Sequence, residues 1–97
     1  MKIEKRSTVM PEKIDRSNSH EVKQSILNLL EEGTKYVEVD FTNVKRIDSL
    51  GLGTLLVLQN KMKENNVKFR LINVHNKSIQ TMFNAVQLYN VIDYETG

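Results

Sequence analysis

The residues of this chain best placed to do chemistry are Asp48 and Ser49, at the head of the run Asp48-Ser49-Leu50-Gly51-Leu52-Gly53. They follow a partly alternating stretch, Val37-Glu38-Val39-Asp40-Phe41, and a short connection from Thr42 to Ile47. The pattern is a buried strand, a loop, and a new helix that begins at the serine. A hydroxyl at a helix N-terminus lies beside backbone N–H groups without an intrahelical partner, at the positive end of the helix dipole. Such a place suits the receipt of a phosphate, whose negative charge is stabilised there. The plainer role of Ser49 is that of a helix N-cap, and the two roles are compatible. Asp48 is either a carboxylate that caps the helix and holds the loop, or a contact for a partner. Each of Gly51 and Gly53 costs a helix about 1 kcal/mol relative to alanine. Two of them in the first turns point to a close approach, by the sheet or by a partner reaching for Ser49. They form no dinucleotide fingerprint, because the third glycine is missing.

Little else in the chain offers chemistry. There is no cysteine, which removes disulfides, thiolate nucleophiles and cysteine-ligated metals. His20 and His75 have no acidic or histidine neighbour at metal-ligand spacing and read as surface residues. No nucleophile–base pair and no phosphate-cradling loop are visible, so neither catalysis nor a metal nor a cofactor is expected. A net charge of +2, with no basic stripe interleaved with aromatics, does not call for nucleic acid. No apolar run approaches the ~20 residues that span a bilayer. The start, Met1-Lys2-Ile3-Glu4-Lys5-Arg6, is charged and has no apolar core of a leader peptide. The expected location is the cytoplasm, and the oligomeric state is left open between a monomer and a weak dimer.

Several elements must position the Asp48-Ser49 pair. Ile3 to Met10 reads as a strand ended by Pro11, and Glu12 to Asn18 as a polar loop. A helix capped by Asn18 or Ser19 carries the apolar stripe Val22, Ile26, Leu29 and Leu30 and is stopped by Gly33. Tyr36 to Phe41 is rich in valine and aromatics and reads as a strand. The second helix runs from Ser49 or Leu50 to about Asn65, with Leu52, Leu55, Leu56, Gln59 and Met62 marking its buried side. Val57 and Leu58 widen the apolar surface, and Leu50 or Leu52 is the residue expected to be left exposed for a partner. After an Asn65-Asn66 turn, Val67 to Val74 reads as a strand and Lys77 to Ala85 as a helix with Ile79, Met82 and Phe83 inward. Tyr89 to Tyr94 closes the chain as a short strand. Alternation of strand and helix implies an α/β fold with a largely parallel sheet of about four strands. With 97 residues and no linker, residues 1–97 read as one domain.

The strand–loop–Asp48-Ser49-Leu50-Gly51-Leu52-Gly53–helix arrangement resembles the STAS domain, and within it the bacterial anti-sigma-factor antagonists. The resemblance extends to Leu29-Leu30-Glu31-Glu32-Gly33, Phe69-Arg70-Leu71-Ile72-Asn73-Val74 and Met82-Phe83-Asn84-Ala85-Val86-Gln87-Leu88. It implies a small sheet with three helices mainly on one face. It also implies that an anti-sigma factor with serine kinase activity binds the chain and phosphorylates Ser49, the residue after the motif aspartate. Phosphorylation releases that partner and a serine phosphatase resets the switch. By the same resemblance Asp15, in Lys13-Ile14-Asp15, belongs to the partner surface with Asp48, Leu50, Gly51 and Leu52. Two departures stand out. The family usually has a two-strand hairpin before that aspartate, where this chain has room for about one strand. The residue after the phosphoacceptor is often small, where this chain has Leu50. The competing reading is a non-catalytic STAS scaffold or adaptor in a stress-signalling or transporter-associated complex.

Overall fold

A computed structural model describes residues 4–96. The chain runs β1 (Lys5–Val9), β2 (Lys13–Ile14), α1 (Ser19–Leu27), β3 (Tyr36–Asp40), β4 (Arg46–Ile47), α2 (Ser49–Glu64), β5 (Lys68–Ile72), α3 (Lys77–Ala85), a 3-10 turn (Leu88–Asn90) and β6 (Asp93–Tyr94). Four strands form one parallel sheet in the order β1-β3-β5-β6. β2 and β4 form a separate two-stranded parallel ribbon. The α/β fold with a four-stranded parallel sheet and three helices is the one the sequence pattern implies.

The central strands are amphipathic by period 2. In β3, Val37 and Val39 are buried while Tyr36, Glu38 and Asp40 are half-buried. In β5, Phe69 and Leu71 are buried in register with them. The helices cover this apolar face, with α2 packed on α1 and on β5. Ile26, Leu55, Leu58 and Met62 from the helices are fully withdrawn from water. Each such side chain contributes on the order of 1.5–3 kcal/mol by burial. Phe83 of α3 packs tilted on Phe41 and edge-on to Tyr94, with ring centroids 6.1 and 5.2 Å away. The opposite face of the sheet is polar: Lys5 pairs with Glu38 at 2.8 Å, and Arg70 with Asp93 and Glu95 at 3.1 Å each.

Three local expectations are corrected. Glu12 to Asn18 and Thr42 to Ile47 are not plain loops, since each contributes one strand of the β2–β4 ribbon. α1 ends at Leu27 rather than at Gly33. The N–H groups of Leu29 and Leu30 donate to the carbonyls of Ile26 and Leu27, three residues back, so the backbone tightens and leaves the helix. Leu29 and Leu30 still pack on the core, from a turn. The last strand is shorter than Tyr89 to Tyr94, because a 3-10 turn takes Leu88–Asn90. The Ile3 start assigned to the first strand lies outside the described residues. The Asn65-Asn66 turn is present, with Asn66 in the left-handed region at φ 58°, which asparagine tolerates better than most residues.

Candidate functional site

The β2–β4 ribbon is the device that assembles the site. Ile14 and Ile47 are register partners and both are buried, so the two short strands are pinned to the core side by side. One residue beyond them stand Asp15 and Asp48. Sequence distance of 33 positions is thereby converted to adjacency, as the Asp48 N–H donates to the Ile14 carbonyl at 3.3 Å.

Asp48 has extended backbone (φ −100°, ψ −178°) and is the N-cap of α2. Its Oδ1 accepts the Gly51 N–H at 2.8 Å, and its Oδ2 accepts the Arg16 N–H at 3.2 Å. One carboxylate therefore closes the first turn of α2 and ties it to the segment leading into α1. Asp15 serves its own turn. Its Oδ1 accepts both the Ser17 hydroxyl (2.6 Å) and the Ser17 N–H (2.9 Å), and its Oδ2 lies 3.8 Å from Lys13 Nζ. The Ser17 hydroxyl first, and the Ser17 N–H second, hold the Asp15 carboxyl below the usual carboxylate range.

Ser49 is the first residue of α2 and is exposed. Among the described residues its hydroxyl makes no hydrogen bond, and no carboxylate or imidazole stands as a base to it. The N-cap role that serine often takes belongs here to Asp48, which leaves Ser49 Oγ free for another group. Leu50 is 50% exposed, whereas Leu52 is half-buried and packed on the core. Of the two leucines offered for a partner, Leu50 is the free one.

The two glycines separate. A Cβ on Gly51 would lie 2.2 Å from the Ile14 carbonyl oxygen and 2.9 Å from Ile47 Cγ1. Gly51 is thus required where the ribbon crosses the first turn of α2. A Cβ on Gly53 would meet nothing within 4 Å.

The buried side of α2 is Gly51, Leu55, Leu58 and Met62, an i, i+4, i+7, i+11 stripe. Leu56, expected on that side, is exposed, and so is Val57. At 100° per residue neither can share a face with Leu55 and Leu58. With the exposed Ser49 and Leu50 and the half-buried Gly53 they form a continuous strip on the outer side of α2 that is small or apolar throughout. The signal that could have found Leu56 and Val57 is that spacing, counted from Leu55. On the other side of the ribbon a cavity of about 460 Å³ opens towards α3, bordered by Asp15, Asp48, Arg46 and Met82. Among the described residues no three His, Cys, Asp or Glu side chains cluster to hold a metal, and no helix is long and apolar enough to cross a membrane.

The fold agrees with one family. The model of the STAS domain family matches residues 5–96, and the chain belongs to that family. No curated protein matches it closely. Among solved structures, it is similar to a candidate anti-sigma factor antagonist from Thermotoga maritima, at 21% identity and a TM-score of 0.77, over 93% of this chain and 80% of that one. It is equally similar in shape to a sulfate transporter family protein from Wolinella succinogenes, at 14% identity and a TM-score of 0.77, over 91% of this chain and 70% of that one. At these identities the likeness is one of fold.

Proposed function

We propose that this chain is an anti-sigma-factor antagonist that acts in the cytoplasm by binding rather than by catalysis. Its partner is an anti-sigma factor with serine kinase activity, which docks on the strip Ser49, Leu50, Gly53, Leu56 and Val57 beside Asp15 and Asp48. Transfer of a phosphoryl group to Ser49 releases the partner, and a serine phosphatase restores binding.

The observation that supports this reading most is the division of labour at the head of α2. Asp48 caps the helix, so the exposed Ser49 hydroxyl has no structural duty to lose. A phosphate on Ser49 adds about −1.5 to −2 charges. The α2 dipole stabilises that charge, while the neighbouring Asp48 carboxylate does not. The domain keeps its fold, and the docking strip changes from apolar to dianionic.

The test is affinity capture from the native cytoplasm with wild type, Ser49→Ala and Ser49→Asp, the bound proteins being identified by mass spectrometry. Wild type and Ser49→Ala are expected to retain an ATPase of the histidine-kinase-like class, and Ser49→Asp to lose it by at least about tenfold, or 1.4 kcal/mol. Equal recovery of the same partners by all three forms overturns the switch. That result moves weight to the scaffold or adaptor reading, with which the likeness to a sulfate transporter family protein is compatible.

A further inference from the structure

β1 is an outer strand of the main sheet, hydrogen-bonded to β3 on one side. Among the described residues nothing pairs with its other side. The direction of each backbone group along β1 follows from the bonds it makes. The Tyr36 N–H donates to the Glu4 carbonyl at 3.0 Å, and the Met10 N–H donates to the Asp40 carbonyl at 2.9 Å. In a parallel pair alternate residues face the neighbour, so Glu4, Arg6, Thr8 and Met10 bond to β3. The N–H and C=O of Lys5, Ser7 and Val9 therefore point outward, six groups in a row.

Exposed edges are usually guarded by cations that project past them. Here both cations of β1 are drawn inward. Lys5 Nζ lies 2.8 Å from Glu38 and 5.6 Å from the centre of the Tyr36 ring, over the neighbouring strand. Arg6 pairs with Glu31 at the end of the α1 turn. What the edge itself presents is Ser7, small and exposed, and Val9, which is 57% exposed.

We propose that this edge pairs with the same edge of a second copy, antiparallel about a two-fold axis at Ser7. The occupant follows from self-complementarity. With Ser7 opposite its own counterpart, Lys5 falls opposite Val9 and Arg6 opposite Thr8, so no cation meets a cation. The outward residues Lys5, Ser7 and Val9 of each strand then face one another as hydrogen-bonded pairs, and all six outward groups find partners. The aliphatic stem of each Lys5 covers the exposed Val9 of the other copy. Two four-stranded sheets become one of eight. Five residues a side make a small junction, so the dimer is weak and concentration-dependent. The inference uses neither Ser49 nor a partner protein, and it stands or falls apart from the switch.

The chain has no cysteine, which makes the register directly readable. In the paired edge the two Ser7 Cα atoms are about 5.5 Å apart, inside the range of roughly 4.4–6.8 Å that a disulfide spans. The two Lys5 Cα atoms are four residues out of step, roughly 14 Å apart. Ser7→Cys is therefore expected to form a covalent dimer under mild oxidation, and Lys5→Cys to remain monomeric under the same conditions. Sedimentation velocity over a concentration series is expected to show the wild-type monomer–dimer equilibrium. Ser7→Pro, which removes an outward N–H without touching the β1–β3 ladder, is expected to weaken the dimer by about tenfold or more, with the far-UV circular dichroism unchanged. A wild-type monomer at every soluble concentration overturns the proposal. So does cross-linking of Lys5→Cys as fast as of Ser7→Cys.

Discussion

A methyl group added to Gly51 would stand 2.2 Å from a backbone oxygen, whereas the same methyl on Gly53, two residues along α2, would touch nothing. The two positions belong to opposite sides of one helix turn. The inner side holds Gly51 and Leu55, buried against the β2–β4 ribbon and the core, with the exposed Asp48 tied to it by its bonds from the Gly51 and Arg16 N–H groups. The outer side holds Ser49, Leu50, Gly53, Leu56 and Val57, where the molecule itself asks for nothing. Helix stability favours alanine over glycine at a helix-interior position by about 1 kcal/mol, and this chain forgoes that gain at Gly53, where a Cβ would have room. Packing explains Gly51 and Leu55, and the helix cap explains Asp48. The outer ones have no explanation within the fold, and this is why the proposed docking strip is assigned there.

The inner side of α2 is expected to be intolerant of substitution. Gly51→Ala is expected to cost about 3 kcal/mol, because the added carbon meets the Ile14 backbone rather than a side chain that can turn away. A chemical denaturation midpoint close to wild type would show that the ribbon shifts freely. Asp48→Ala is expected to cost about 1–2 kcal/mol, through loss of the cap on Gly51 and of the tie to Arg16. The same measurement reads it, and a change within error would mean that Ser49 takes over the cap.

The outer side is sharpened by Gly53→Ala. Stability is expected to rise by up to about 1 kcal/mol, while capture of the partner weakens because the bare spot is filled. Higher stability with undiminished capture would remove Gly53 from the strip. The smallest effect concerns acid. The Asp15 carboxyl is held low by Ser17. A carboxyl whose pKa is lower in the folded than in the unfolded chain stabilises the fold above its unfolded value, near pH 4. That contribution is lost as pH falls through the lower, folded value. Asp15→Asn keeps an acceptor for Ser17 but not the charge, so its denaturation midpoint is expected to fall less steeply than wild type as the pH drops below about 4. Identical acid limbs would show that Asp15 contributes no charge-dependent stability.

Period and punctuation in the chain determined most of the architecture. Valines and aromatics alternating through Tyr36 to Phe41, the asparagine turn at Asn65-Asn66 and the strand–helix alternation specify a parallel α/β sheet, because each depends only on neighbours in sequence. The start of α2 was also legible, since an Asp-Ser pair before an apolar run is a local signal. The β2–β4 ribbon was not. Strands of two residues carry no period of their own, and their stability comes from Ile14 and Ile47 being buried together across 32 intervening positions. The inner and outer sides of α2 were likewise blurred, because Leu52, Leu55, Leu56, Val57 and Leu58 are all apolar. Local sequence alone specifies that a serine opens a helix after a buried strand. Packing in three dimensions settles that Asp48 caps that helix, that Gly51 is fixed by the Ile14 carbonyl, and that Gly53, Leu56 and Val57 face outward. Those outcomes depend on which surface the helix is pressed against, and no local property of the chain encodes that.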